Sequence, residues 1–216
     1  MIKYVLFDLD GTLTDPALGI TNSIMHALSK MGREIPPRES LYCFIGPPLI
    51  PAFMRFLGMS EEEAKRALVY YREYFAERGL FENTPYDGIA EALSALKSRG
   101  YRLAVATSKP EVFATRITEK FGLAEYFDFI CGATLDETRT KKADVIEYAL
   151  GQLGAVAEEC IMIGDRHHDV DGAKALGMKS IGVLWGYGSR DELTEAGADA
   201  IAEAVADVVD LVEKMK

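Results

Sequence analysis

The segment Lys3–Thr12, KYVLFDLDGT, decides how the rest of the chain is read. Its first five residues, Lys3–Phe7, are β-branched and aromatic for the most part, and their hydrophobicity is continuous rather than alternating. That is the pattern of a strand buried on both faces. Asp8 and Asp10 follow at once, and Asp10-Gly11 is also an ordinary turn signal. Acids delivered at the end of a buried strand suggest an open α/β sheet, whose ligands sit beyond the carboxyl ends of its strands.

Runs of the same kind recur at Arg102–Ala106 (RLAVA), Phe127–Cys131 (FDFIC), Cys160–Ile163 (CIMI), Ser180–Leu184 (SIGVL) and Ala198–Ala202 (ADAIA). Helical patterns lie between them at Ile89–Arg99, Glu111–Phe121, Ala143–Leu153, Val170–Leu176 and Asp191–Ala196. Gly100, Gly122, Gly154, Gly177 and Gly197 supply the stops. This alternation predicts an α/β fold, a doubly wound parallel sheet with helices on both faces. From Pro16 to Thr84 the alternation fails. Four helical patterns stand there, Ile20–Met31, Arg38–Phe44, Pro48–Leu57 and Ser60–Gly79, punctuated by Pro36-Pro37 and Gly46-Pro47-Pro48. Residues 16–84 are therefore expected to form a small inserted all-helical domain, and residues 1–15 and 85–216 the α/β core. Ser60 before Glu61-Glu62-Glu63 reads as a capped helix start, where acids suit the dipole.

Composition narrows the classes of function. The 216 residues are 49% hydrophobic, which excludes a disordered or fibrous chain and allows a sizeable core. A net charge of −10 argues against a nucleic acid polymer or an anionic membrane as partner, since both would repel the chain. Cys43, Cys131 and Cys160 are odd in number, far apart and set in apolar runs, as buried thiols of a reducing compartment are. The apolar run near the N-terminus is too short for a signal peptide, and none approaches the roughly 18 residues that a membrane span needs. A cytoplasmic location is expected.

The chemistry gathers at the strand ends. Asp8 and Asp10 follow the first strand, Thr107-Ser108-Lys109 the second, Arg139-Thr140-Lys141-Lys142 the third, and Gly164-Asp165-Arg166-His167-His168-Asp169 the fourth. Residues i and i+2 leaving a strand point the same way, and two close carboxylates repel unless a cation or proton lies between them. A hard Mg²⁺ ion meets that need, because it takes few protein carboxylates and binds phosphate oxygens. A hydroxyl and an ammonium suit the remaining charge of a transferring phosphoryl group. Asp8, Asp10 and Asp165 suit the metal; Thr107 and a lysine suit the phosphate.

The ordered set DLDGT, a strand-ending hydroxyl, a lysine and GDxxxD resembles the haloacid dehalogenase superfamily over nearly the whole chain. The helical insert is similar to the cap of its phosphoglycolate phosphatase-like branch. The resemblance implies a Rossmann-like core, a helical cap that closes to exclude water, and a Mg²⁺-dependent phosphomonoester hydrolase. It implies Asp8 as the nucleophile that becomes an aspartyl-phosphate, and Asp10 as acid and then base. Thr107 and the Ser108 backbone N–H would hold the phosphate, Lys142 would neutralise its charge, Asp165 would complete the metal shell, and Asp169 would support it. The third motif has Lys141-Lys142 where many relatives have Lys-Pro; Lys142 is preferred because it opens the helix over Ala143–Leu153. The substrate class implied is a small phosphorylated metabolite, such as phosphoglycolate or a 5′-nucleotide. A phosphosugar mutase and a non-catalytic binding protein on the same fold are the alternatives. Loss of Asp8 or Asp10 would have favoured the latter, and both are present.

Plainer readings compete at individual positions. Gly164-Asp165 also suits a strand-to-helix turn, and Thr107-Ser108 an N-cap before Lys109-Pro110. His167 and His168 lack cysteine ligands at usable spacing and read as exposed or supporting residues rather than a zinc site. His26 reads as packing, Trp185–Ser189 as a turn, and Phe44–Pro48 as a helix connection.

Overall fold

The structure, a computed structural model, describes Met1–Lys216. The chain divides into two compact units, Met1–Asp15 with Pro85–Lys216, and Pro16–Thr84. No helix is long and apolar enough to cross a membrane.

In chain order the larger unit holds β1 (Tyr4–Phe7) and β2 (Thr14–Asp15), and the smaller unit α1 (Ala17–Lys30), α2 (Leu49–Leu57) and α3 (Glu61–Phe75). After β3 (Thr84–Pro85) come α4 (Ile89–Ser98), β4 (Arg102–Pro110), α5 (Glu111–Lys120), β5 (Phe129–Ala133), α6 (Lys142–Leu153) and β6 (Cys160–Gly164). Then follow α7 (His167–Ala175), β7 (Lys179–Val183), α8 (Arg190–Ala196), β8 (Ala200–Ala202) and α9 (Asp207–Lys214). A six-stranded sheet runs β5-β4-β1-β6-β7-β8, with every pairing parallel. Strand β1 is central, with Phe7 paired to Val105 on one side and to Ile163 on the other. Its continuous apolar run follows from that position, and Val5, Leu6 and Phe7 are buried. The strand order reverses at β1, and this register sets Asp8 level with the carboxyl end of β6 and beside the stretch of β4 that follows Val105.

Helix α6 lays Val145, Ile146 and Ala149 against Leu6, Ala104, Ala106, Cys160 and Met162. Burial pushes the Cys131 and Cys160 thiols up to about 12, so these are inert packing groups, and none of the three cysteines forms a disulfide. Several boundaries differ from the sequence expectation. Strand β5 spans Phe129–Ala133 rather than Phe127–Cys131, α7 starts at His167 rather than Val170, and α9 follows the last strand.

In the smaller unit, Arg38–Phe44 is a 3₁₀ helix rather than an α-helix, and the expected long helix from Ser60 stops at Phe75. The Ser60 cap is formed: Ser60 N–H donates to Glu63 Oε2 at 2.8 Å, and Glu63 N–H to Ser60 Oγ at 3.3 Å. Helix α1 packs on α3, and Glu82 ties the unit together by accepting from Tyr74 Oη and Asn22 Nδ2, each at 2.8 Å.

Candidate active site

Asp8 leaves β1 with its backbone N–H on the Ile163 carbonyl at 2.9 Å, and Leu9 N–H donates to its Oδ1 at 2.8 Å. The following turn is closed by the Leu9 carbonyl, which accepts from Leu13 N–H at 2.9 Å and Thr14 N–H at 3.0 Å. Gly11 sits in that turn at φ +83°, and a Cβ there would overlap the Asp165 carboxylate. The glycine is thus required twice, by the backbone and by the acid beside it.

Carboxylate oxygens of Asp8, Asp165 and Asp169 lie within 4.8 Å of one another, all three residues being buried. Asp165 is held from two sides. Tyr187 N–H donates to its Oδ2 at 2.7 Å, and Thr12 Oγ1 approaches Oδ1 at 3.5 Å. Lys142, at the first position of α6, reaches Asp8 Oδ1 at 2.9 Å, Asp169 Oδ1 at 2.7 Å and the Ala106 carbonyl at 3.1 Å. Burial opposes the charge on this ammonium, yet Asp169 and Asp8 hold its pKa above the ordinary lysine value. One ammonium cannot balance three carboxylates. Burial, with Asp169 and Asp8 nearby, pushes Asp165 well above the ordinary carboxylate range, and burial raises Asp169 as well despite Lys142. Three buried acids with one cation among them form an oxygen-donor set short of positive charge. That donor set fits a hard divalent ion such as Mg²⁺.

Asp10, expected among the metal ligands, stands outside this cluster. Its Oδ2 is 2.6 Å from Lys109 Nζ, and burial raises its pKa although Lys109 works against the rise. Its other oxygen, Oδ1, is buried without a hydrogen-bond partner. Thr107 is buried in β4, two residues past the last pair of that strand with β1, where its Oγ1 accepts from Lys109 N–H at 3.2 Å, and Ser108 next to it is half-buried. Lys141 is exposed, so the structure brings Lys142 and not Lys141 to the carboxylates.

The other cations of the rim are committed elsewhere. Arg139 donates to the Gly132 carbonyl at 3.0 Å, pairs with Glu111 at 3.2 Å, and lies 3.7 Å over the Tyr148 ring. Arg166 pairs with Glu192 at 2.9 Å, and the same carboxylate accepts from His167 N–H. His167 Nδ1 is 2.9 Å from Asp171, and burial with the neighbouring cations pushes His168 down to about 4. Neither imidazole joins the carboxylate cluster.

Two contributors carry little signal in the sequence. Lys109 reads there only as a cation on the rim, and nothing in its local spacing announces Asp10 as its partner. The stretch Trp185–Ser189, read as a turn, clasps the site: Trp185 Nε1 donates to the Thr12 carbonyl at 3.0 Å, Tyr187 N–H holds Asp165, and Tyr187 Oη bonds Asp15. A Cβ on Gly186 would overlap both the Gly11 carbonyl and Asp165. The paired glycines of Gly186-Tyr187-Gly188 were the available signal.

The family model described as haloacid dehalogenase-like hydrolase matches residues 5–183. A 5′-nucleotidase of Pseudomonas aeruginosa is 50% identical over 189 residues, 88% of this chain and 86% of that protein. The tyrosine-protein kinase PtkA of Mycobacterium tuberculosis is 43% identical over 202 residues, 94% of this chain and 69% of that one. Among solved structures, a predicted phosphatase from Clostridium acetobutylicum superposes with a TM-score of 0.96 at 48% identity, covering 99% of each chain. The chain belongs to the haloacid dehalogenase-like hydrolases.

Proposed function

We propose that this haloacid dehalogenase-like hydrolase is a Mg²⁺-dependent phosphatase that cleaves a small phosphorylated metabolite through an aspartyl-phosphate on Asp8. The observation that carries the reading is Lys142, buried and within 3 Å of both Asp8 and Asp169, beside the carboxylate of Asp165. That arrangement sets a nucleophile next to a fixed positive charge in a site shielded from water.

Each residue then has a task. Asp8 attacks phosphorus and the ester P–O bond breaks; Asp10 gives its proton to the leaving oxygen. Thr107 Oγ1 and the Ser108 N–H bind phosphate oxygens, and Lys142 balances the charge that develops on them. Asp10 then takes a proton from the water that attacks phosphorus, which releases phosphate and restores Asp8. Asp8, Asp165 and Asp169 would hold Mg²⁺, with the Asp10 side chain kept for proton transfer. The bound ion would supply charge neutralisation for the carboxylates and the phosphate oxygens. The helical unit Pro16–Thr84 is assigned to selectivity among esters, since the groups just named all act at the phosphate.

Among small phosphate esters, a 5′-nucleotide is favoured over phosphoglycolate by the 50% identity to a protein named 5′-nucleotidase. The test is phosphate release from 5′-nucleotides, phosphoglycolate and sugar phosphates, with and without Mg²⁺, and with analysis of the organic product. A further arm offers ATP with a tyrosine peptide. Hydrolysis that stops on chelation and returns with Mg²⁺ is expected. Activity that survives exhaustive chelation, or transfer to a sugar or tyrosine in place of water, overturns the proposal.

A further inference from the structure

Strand β4 carries a local irregularity beside the site. Thr107 pairs with Gly132 and Pro110 pairs with Ala133, so Ser108 and Lys109 are looped out of the ladder between them. Bulges of this kind re-aim a side chain and often lie next to reaction centres. Room for it comes from Gly132, where a Cβ would stand 2.6 Å from the Lys109 carbonyl and from the backbone of Glu111. The Lys109 N–H to Thr107 Oγ1 bond closes the loop at 3.2 Å. Its result is a lysine turned inward, its side chain only 4% exposed, with Nζ 2.6 Å from Asp10 Oδ2.

The two oxygens of Asp10 are therefore treated unequally. Oδ2 is held by an ammonium, whereas Oδ1 is buried with no hydrogen-bond partner. A buried acceptor without a partner is unfavourable and calls for a reason. We infer that Lys109 is a positioning residue for Asp10, clamping Oδ2 so that Oδ1 is the oxygen that exchanges protons with the reacting groups. This rests on the acid–base reading of Asp10 given above. In the first half-reaction an Asp8 oxygen bonds to phosphorus, the ester P–O bond breaks, and the proton on Oδ1 passes to the leaving oxygen to release the alcohol. In the second, water oxygen bonds to phosphorus, its proton passes to Oδ1, and the bond from phosphorus to Asp8 breaks. Lys109 stays on Oδ2 through both.

Leaving-group dependence tests this, because a proton donor matters for a basic alkoxide and hardly for p-nitrophenolate. The measurement is kcat/KM, which reports the steps through leaving-group departure, for an alkyl phosphate and for p-nitrophenyl phosphate. It is made on wild type, Lys109→Met, Lys109→Arg, Asp10→Asn and the Asp10→Asn/Lys109→Met double variant, each checked for folding by circular dichroism. Lys109→Met should lose about 100-fold on the alkyl ester and about threefold or less on the aryl ester. Lys109→Arg should recover part of the alkyl activity, and in the Asp10→Asn background the Lys109→Met change should have no further selective effect. Equal losses on the two esters in Lys109→Met, or an undiminished selective loss in the Asp10→Asn background, overturn the role of Lys109 while leaving Asp10 as the acid. An Asp10→Asn variant that is itself unselective between the esters removes the acid–base reading, and this inference with it.

Discussion

Lys142→Met removes the charge at the centre of the proposed site while keeping most of the side-chain length. The ammonium it deletes lies 2.9 Å from Asp8, 2.7 Å from Asp169 and 3.1 Å from the Ala106 carbonyl. With an effective dielectric near 20, opposite unit charges at such a distance attract by roughly 6 kcal/mol. Two such attractions offset a burial cost of several kcal/mol for the ion, and removing one partner of a buried pair costs about 3–5 kcal/mol of stability. For a chain of this size that corresponds to a fall in Tm of roughly 10 °C. Turnover should suffer separately, by about a hundredfold or more in kcat, because the lost cation would have faced the transferring group. Lys141→Ala is the control, since Lys141 is exposed and its loss should shift stability by about 0.5 kcal/mol or less. The assay is phosphate release under saturating substrate and identical Mg²⁺, with thermal melts of both variants. A larger loss of kcat in Lys141→Ala, or near-normal kcat in both, refutes the reasoning.

Asp8→Asn should keep the fold and abolish turnover, because an amide of nearly the same shape is no nucleophile; more than a small residual fraction of wild-type turnover would sink the assignment. Gly186→Ala places a methyl group against Asp165, and the Mg²⁺ concentration giving half-maximal activity should rise by about 10–100-fold; an unchanged Mg²⁺ requirement would contradict it. Asp10, Asp165 and Asp169 all have raised pKa values in the folded state, so the native protein binds these protons more tightly than the unfolded chain does. Their contribution to stability therefore falls as pH rises from about 4, the ordinary carboxylate value, through the raised values, about 6 for Asp169. His168, pushed down to about 4, acts in the opposite sense below about pH 6.5, so the comparison is made in His168→Gln. Chelated His168→Gln protein should melt lower at about pH 8 than at about pH 6, and Mg²⁺ should shrink the difference; a higher Tm at the alkaline end would refute it.

Much of the architecture was legible because its signals are local. The run Lys3–Phe7 announced a strand flanked on both sides, and glycines at positions such as Gly154, the αL residue ending α6, marked helix ends through backbone conformation alone. The site residues at the ends of β1, β4 and β6 were legible for a related reason: a parallel sheet carries its strand ends to one edge, so order along the chain places groups in space. Propensity misled where packing decides, as at Arg38–Phe44, whose apolar spacing suggests an α-helix but whose turn closes as 3₁₀. Strand β5 likewise starts two residues late, because its register is chosen by pairing with β4.

What only the tertiary structure decided is which charged group meets which. Of two adjacent lysines the start of the helix favours Lys142 in sequence, but it is the packing of α6 on the sheet that turns Lys142 inward and leaves Lys141 in solvent. Lys109 meets Asp10 because a bulge in β4, accommodated by Gly132 on the neighbouring strand, redirects it. Asp10 pairs with Lys109 rather than joining the carboxylate cluster, and Asp165 is held by a loop whose Trp185 bonds Thr12 across 173 residues of chain. Such pairings depend on sheet register and on the close approach of distant backbones. Residue types and spacing determined that acids and cations would share one edge of the sheet; the ångström-scale choice of partners belongs to the folded core, where burial makes each choice costly to reverse.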